Sequence, residues 1–131
     1  MLDTQVIDDT YNAAPTSMQA ALELLATVPA RRVAVLGDMR ELGHIEVAAH
    51  HEVGRIAAQA ADVLVAVGTR GAWIAAAARA NGMRMVHEAA DTLTAIPLVQ
   101  SVLQTGDCVL VKGSRAMEME RIVSACCPES H

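Results

Sequence analysis

Short apolar runs and amphipathic stretches alternate along the whole chain. Runs rich in Val, Leu, Ile and Ala predict five strands, at about residues 5–8, 32–36, 63–67, 83–86 and 108–112. A short continuous apolar run is typical of a strand that is buried on both faces of a parallel sheet. We therefore expect a parallel sheet with helices packed on both of its faces.

Helical patterns fill the segments between these runs, with apolar residues three and four positions apart. The first predicted helix follows Pro15 and ends before Pro29, and the others lie at about 45–60, 72–80, from 91 onwards and 116–125. Thr16 and Gln19 have the spacing of a capping box at the first helix. Pro97 should kink the fourth helix or delay its start. Together these elements predict a three-layer α/β/α, Rossmann-like domain with an essentially parallel five-stranded sheet.

Composition limits the residue types that can form the core and the classes of molecule that the chain is expected to bind. The 131 residues are expected to form one domain, 1–131, in which 53% of residues are apolar but only 2% are aromatic. The core must therefore be built from Ala, Val, Leu, Ile and Met. The net charge of −5, with ten scattered Lys and Arg, argues against nucleic-acid binding.

Cysteine usage and hydropathy indicate a reducing compartment. The chain has three cysteines, Cys108, Cys126 and Cys127, and this odd number argues against a disulfide framework. They also lack Cys-x-x-Cys spacing, which argues against a zinc site. The sequence shows no signal peptide and no apolar run of about 18 residues. These features predict a cytoplasmic location and no membrane partner.

Several familiar ligand motifs are excluded. The order Lys112-Gly113-Ser114 differs from a Walker A loop, and Gly68-Thr69-Arg70-Gly71 lacks the three glycines of a dinucleotide fingerprint, so we interpret it as a strand-to-helix turn. His51-Glu52 is no zincin motif, because Arg55 occupies the second histidine position. A phosphoacceptor receiver domain would need an Asp after the third strand, where this sequence has Gly68.

Polar segments follow the first and the last predicted strand. The chain reads Asp8-Asp9-Thr10-Tyr11-Asn12-Ala13-Ala14-Pro15 after one and Lys112-Gly113-Ser114-Arg115 after the other. The carboxyl ends of strands are where open α/β sheets bind ligands. These residues therefore indicate a site for an anionic ligand.

Those two segments also carry a family resemblance, together with two others: Val35-Leu36-Gly37-Asp38-Met39-Arg40-Glu41-Leu42-Gly43 and His50-x-Glu52-Val53-Gly54. In this order and spacing they resemble the C-terminal domain of the Mur ligases, and most of all the branch that adds D-Ala-D-Ala to the UDP-MurNAc-tripeptide in peptidoglycan precursor synthesis. Ala14 stands where this branch usually has Asn. The resemblance implies that the sheet has the strand order 1-5-2-3-4.

The resemblance also implies the activity and the partners. Such ligases use ATP and Mg²⁺, held mainly by a central ATPase domain, and an N-terminal domain binds the UDP-sugar peptide. A chain without those two domains is expected to be a fragment, a split protein or an excised domain, and to be inactive alone. The alternative function is a non-catalytic nucleotide- or peptide-binding module that retains the fold.

Three groups of candidate site residues follow from the matching motifs. Asp9 matches the carboxylate that contacts the ATP ribose, and Tyr11 and Asn12 could also meet the nucleotide; the alternative is a turn without ligand. Lys112, Ser114 and Arg115 suit the incoming dipeptide or a developing oxyanion, the alternative being a solvated loop with Arg115 paired to Glu118 or Glu120.

The third group is Asp38, Glu41 and His50, whose chemistry the sequence does not reveal. Asp38 could be only a helix cap, and Glu41 and His50 only surface groups. The outer edge of the first strand is expected to be covered by residues 1–4 or to pair with a second copy, because exposed strand edges recruit partners.

Overall fold

Strands and helices alternate along the chain in a computed structural model that describes residues 4–10 and 13–126. Within these ranges the elements are β1 (Gln5–Asp9), α1 (Pro15–Ala26), β2 (Arg32–Leu36), α2 (Glu46–Ala60), β3 (Val63–Val67), α3 (Gly71–Ala80), β4 (Val86–Ala89), α4 (Thr92–Val102), β5 (Cys108–Lys112) and α5 (Glu120–Cys126). Short 3₁₀ turns at Gly43–Ile45 and Arg115–Met117 precede α2 and α5. No helix in the described ranges has the length and apolar character needed to span a bilayer.

All strand pairs are parallel, and the sheet order is β1-β5-β2-β3-β4. The expected five-stranded parallel sheet and its order are therefore confirmed. β5, the last strand in the chain, lies between β1 and β2. Its final residue, Lys112, is in register with Asp9 on one side and Leu36 on the other, so the polar segments after these strands meet at one edge.

Alternate residues of the strands face two separate cores. Ala34, Leu64 and Leu110 belong to the core that contains apolar residues of α1, α2 and α3. Val35 and Val109 face the opposite core, with α4 and α5. The central strands are thus apolar on both sides, as buried parallel strands require, and the three-layer arrangement is confirmed.

Two predicted elements are placed differently in the structure. β4 begins at Val86 rather than 83, because Met83 turns back onto α3, its N–H donating to the Ala78 carbonyl over 3.0 Å. The last helix begins at Glu120 rather than 116. Glu118 adopts a left-handed conformation with φ of 52°, which separates the preceding 3₁₀ turn from the helix.

The helix ends correct one capping prediction and support another. Pro15 occupies the first turn of α1 with Ala14 as N-cap, so Thr16 lies inside the helix and does not cap it. The Ser17 hydroxyl instead accepts from the Ala14 N–H at 3.0 Å. At α4, Asp91 accepts from the Thr94 N–H at 2.8 Å, and the helix starts at Thr92 without the delay that Pro97 could have caused.

Candidate functional site

The carboxyl ends of β1 and β5 carry an ion pair between adjacent strands. Asp9 and Lys112 are the final residues of these strands and lie in register. The Lys112 ammonium donates to the Asp9 carboxylate, with Nζ 2.7 Å from Oδ2. Both side chains lie on the sheet face that carries α1, two residues beyond the core residues Ile7 and Leu110. Asp9, expected to contact the nucleotide, and Lys112, expected to contact the dipeptide, therefore contact each other.

The two partners differ sharply in exposure. The Lys112 side chain is 2% exposed, whereas that of Asp9 is 44% exposed. The cation is therefore internal, which corrects the expectation that Lys112 is open to an incoming dipeptide. Solvent reaches the carboxylate instead. Asp8 points to the other face and accepts from the Thr10 hydroxyl at 2.9 Å.

The loop after β5 is held against the loop after β2 by backbone hydrogen bonds. Gly37 N–H donates to the Lys112 carbonyl at 2.8 Å, and Ser114 N–H donates to the Asp38 carbonyl at 2.9 Å. Met119 lies across both loops, and a Cβ at Gly37 or at Gly113 would collide with its sulfur. The loops after β2 and β5 are thus packed together as one hydrogen-bonded unit.

Ser114 and Arg115 end up in different environments. The Ser114 Oγ is buried and has no hydrogen-bond partner within the described residues, an arrangement that costs free energy unless a further group supplies a partner. Arg115 is exposed at the start of the 3₁₀ turn. Glu118, one of its two expected partners, pairs with Arg121 at 3.2 Å.

Asp38 joins the loop after β2 to the start of α3. Its side chain is 4% exposed, and Oδ1 accepts from the Arg70 N–H at 2.9 Å, while the Arg70 guanidinium approaches Oδ2 at 3.3 Å. The guanidinium also pairs with Glu46 at 2.9 Å. Gly68, with φ of 99°, leaves room for the carboxylate that a Cβ would displace. Asp38 is indeed a cap, but of α3 rather than of the helix that follows it in sequence.

His50 is fully buried and organises the same loop. Its Nε2 accepts from the Met39 N–H at 3.0 Å, so the ring carries its proton on Nδ1, which donates to the Glu46 carbonyl at 2.6 Å. Burial lowers the pKa of His50, outweighing the opposing hydrogen bond to Glu46. The Trp73 ring meets the His50 ring edge-on, with the two ring centroids 5.6 Å apart. The alternative of a surface His50 is wrong.

Of the remaining expected residues, Glu41 lies in the same part of the structure. Glu41 is exposed and has φ of 63° in the loop that His50 anchors. Its exposure leaves it available to a ligand, but no described contact ties it to Asp9 or Lys112. Tyr11 and Asn12 lie outside the described residues, as does Cys127.

An open cleft of about 350 Å³ lies farther along the same edge of the sheet. Its walls are the turns after β2, β3, β4 and β5, with Arg40, Thr69, Asp91, Thr92, Glu118 and Arg121 among the lining residues. Thr92 crosses from one wall to another, donating to the Met117 carbonyl at 2.6 Å. The sequence analysis did not assign these residues or Arg70 to a site. Four of them lie in turns just beyond the carboxyl ends of strands, which is the signal that identifies such positions: Arg40, Thr69, Arg70 and Asp91.

Metal-binding geometry is a separate question from anion binding. Across residues 4–10 and 13–126 no group of three or more His, Cys, Asp or Glu side chains is arranged to hold a metal ion.

Comparisons with known proteins agree with the fold and the motifs. A family model described as "Mur ligase, glutamate ligase domain" matches residues 2–115. The UDP-N-acetylmuramoyl-tripeptide–D-alanyl-D-alanine ligase of Mycobacterium tuberculosis H37Rv is 38% identical over 143 aligned residues, which include 92% of this chain and 28% of that protein. The chain thus spans less than a third of that relative's length.

Solved structures give the same result. A crystal structure of MurF from Acinetobacter baumannii superposes with a TM-score of 0.81 and 33% identity, over 95% of this chain and 28% of that one. MurF ligase from Thermotoga maritima, in complex with ADP, superposes with a TM-score of 0.78 and 28% identity, over 93% of this chain and 27% of that one.

Proposed function

Because the chain belongs to the Mur ligase family, we propose that it acts as the C-terminal domain of an ATP-dependent ligase that adds D-Ala-D-Ala to the UDP-MurNAc-tripeptide. In that reaction a phosphoryl group passes from ATP to the peptide carboxylate, and the dipeptide amine then attacks the acyl phosphate. The part assigned to this chain is to hold the nucleotide and the dipeptide.

The observation that carries the proposal is the exposed Asp9 carboxylate, fixed by the buried Lys112 at a strand end. A carboxylate accepts hydrogen bonds from both hydroxyls of a vicinal diol, which suits the ribose of ATP. Tyr11 and Asn12 belong to the same segment and complete the proposed nucleotide contact. The ADP complex of the Thermotoga maritima relative supports nucleotide use by this family.

The dipeptide is assigned to the neighbouring side of the same edge. The Ser114 hydroxyl has no hydrogen-bond partner in the part of the chain that the structure describes. Arg115 precedes Ala116, where the wall of the cleft begins. A zwitterionic dipeptide needs cations for its carboxylate and anions for its ammonium group. The cleft offers both, with Arg40 and Arg121 beside Asp91 and Glu118. Asp38 and His50 act by keeping the adjoining loop in place, and Glu41 stays a candidate contact.

The remaining machinery is assigned to other parts of a ligase. The proposal gives the metal and the ATP phosphates to the central domain, as the family resemblance implies. The partners are therefore that domain and the N-terminal domain. Pairing through the β1 edge is a further proposed contact. Cys108 and Cys126 form no disulfide within the described residues, which is compatible with the proposed cytoplasmic location.

Ligation by a chimera tests the proposal. Residues 4–126 would replace the matching domain of the Escherichia coli ligase, which is 37% identical over 121 aligned residues. ADP release that depends on both UDP-MurNAc-tripeptide and D-Ala-D-Ala is expected. Asp9→Ala should raise the KM for ATP about ten- to a hundredfold, and Asp8→Ala should leave it unchanged. A folded chimera that binds ATP without ligating would instead favour the non-catalytic module.

The chain alone should release no ADP from ATP, because it lacks a P-loop and phosphoryl transfer depends mainly on positioning and charge stabilisation. The measurement is ADP production across the fractions of a sizing column. Activity that follows the mass of the chain would contradict the division of labour proposed above.

A further inference from the structure

We propose that Lys112 is a positioning residue, which fixes the Asp9 carboxylate in the orientation that a ribose diol requires and does not itself contact substrate. This inference rests on the proposed nucleotide contact of Asp9. It deepens that proposal by giving Lys112 a role on the nucleotide side of the site, whereas the sequence analysis grouped this residue with the dipeptide.

The first support is the burial of the cation. With 2% of its side chain exposed, Lys112 has no surface to offer an incoming ligand. Its stem lies between two neighbouring strands, beside Leu36 on β2 and Asp9 on β1. Leu36 has no polar group, so the carboxylate among these two registered neighbours is Asp9.

The second support is the rigidity of the lysine backbone. β5 is an inner strand, and the Lys112 carbonyl accepts from Gly37 N–H at 2.8 Å just beyond the β2 ladder. β1, in contrast, pairs only with β5 within the described residues. Asp9 ends an edge strand, which has a hydrogen-bonded neighbour strand on one side within the described residues. An ammonium fixed from the interior removes rotamer freedom from that edge carboxylate.

The third support is the geometry of the carboxylate itself. The Lys112 Nζ donates to Asp9 Oδ2 over 2.7 Å, while 44% of the Asp9 side chain stays open to solvent. Each carboxylate oxygen has two acceptor positions, so a diol can still bind after the lysine has taken one. A preorganised acceptor binds more tightly than one that must be ordered by the ligand. Asp8 is the natural control because it is adjacent, faces the other way and pairs with Thr10.

The experiment uses the 131-residue chain with the variants Lys112→Met, Asp9→Asn, the double variant and Asp8→Asn. Methionine resembles lysine in length and leaves no buried charge, so the fold should survive, as an amide NMR spectrum would confirm. Three-bond couplings to the Asp9 Cγ report its χ1 rotamer without any ligand. We expect one rotamer in the parent and in Asp8→Asn, and averaging in Lys112→Met.

The second measurement compares ATP with 2′,3′-dideoxy-ATP by chemical-shift titration at millimolar concentrations. The parent and Asp8→Asn should prefer ATP by about tenfold. Lys112→Met and Asp9→Asn should each reduce this preference to about twofold, with no further loss in the double variant, since both act through one contact. A general structural defect would weaken both nucleotides equally and keep their ratio.

Each outcome decides one question. A Lys112→Met chain with a single Asp9 rotamer, or with the parental preference for ATP, would overturn the positioning role while leaving the ribose contact intact. Equal binding of both nucleotides by the parent would instead overturn the proposed ribose contact, and this inference with it.

Discussion

Two ion pairs at the same edge of the sheet have opposite burial. In the Asp9–Lys112 pair the cation is internal, and the carboxylate is half exposed. In the Asp38–Arg70 pair the carboxylate is internal at 4% exposure, and the guanidinium is 29% exposed. Each pair joins two elements that are distant in sequence, but they present opposite charges to the surroundings.

The contrast distinguishes a charged group that is open to a ligand from one that holds a neighbouring element in place. A buried charge needs a partner, so the internal member of each pair holds the outer one in place. The first pair presents an anion at the edge of the sheet, where a nucleotide diol is proposed to bind. The second pair uses its anion to fix the start of α3, and Glu46 takes up the outward guanidinium. A ligand role therefore suits Asp9 better than Asp38.

The largest effect should come from the internal carboxylate. Asp38→Ala removes two hydrogen bonds to a charged acceptor and should lower the free energy of unfolding by about 3 kcal/mol in denaturant titration. Asp38→Asn, which keeps an acceptor for the Arg70 N–H, should lose about half as much. Equal losses in the two variants would show that charge, not capping, is what Asp38 supplies.

The second test removes each partner of the Asp9–Lys112 pair in turn. Asp9→Ala leaves the buried Lys112 without its carboxylate and should lower the free energy of unfolding by about 2 kcal/mol. Lys112→Met leaves only a half-exposed carboxylate, which water can solvate, and should cost less than about 1 kcal/mol. Denaturant titration of both variants checks the order, and a larger loss for Lys112→Met would contradict the assigned burial.

The third test uses pH. Because burial lowers the pKa of His50 in the folded chain, the unfolded chain takes up the proton first as the pH falls below about 6.5. Stability should then decrease toward acid, with a slope approaching about 1.4 kcal/mol per pH unit, until the lower pKa of the folded state is passed. Unfolding at several pH values should show this dependence in the parent and in His51→Gln but not in His50→Gln.

The smallest effect should come from the exposed end of the Asp38 network. Glu46→Gln removes an ion pair whose two side chains are 33% and 29% exposed, and should change the free energy of unfolding by less than about 1 kcal/mol. High salt should reduce even this difference. A loss comparable to that of Asp38→Ala would mean that Glu46, not Asp38, holds Arg70 in place.

The success of the sequence predictions followed the strength of local signals. β3 and β5 were predicted with their observed bounds, since continuous apolar runs correspond to strands buried on both faces. The bounds of β4 were wrong, because this edge strand contains His87 and Glu88 and has no such run. The start of α5 was missed because a left-handed Glu118 leaves no periodic signal.

The candidate site shows a similar division. The motifs correctly identified Asp9, Lys112 and Asp38 as residues at the strand ends. Their partners depend on which strands become neighbours, and that is a tertiary property. The internal position of Lys112 was therefore not predictable from its sequence neighbours. Arg70 was interpreted as part of a simple turn, since nothing local indicates that the Asp38 carboxylate, 32 residues away, accepts from it.

The insertion of β5 between β1 and β2 has a consequence for the order of folding. Within the described residues β1 has no other strand to pair with, and β5 is the last of these strands to be synthesised. β2, β3 and β4 can assemble beside one another while β1 waits for a segment about a hundred residues later in the chain. Pairing between strands so far apart in the chain is slow, and β1 stays without its partner strand until β5 has been synthesised. The Asp9–Lys112 contact can therefore form only once β5 is in place, and its presence marks a chain in which β1 and β5 have paired.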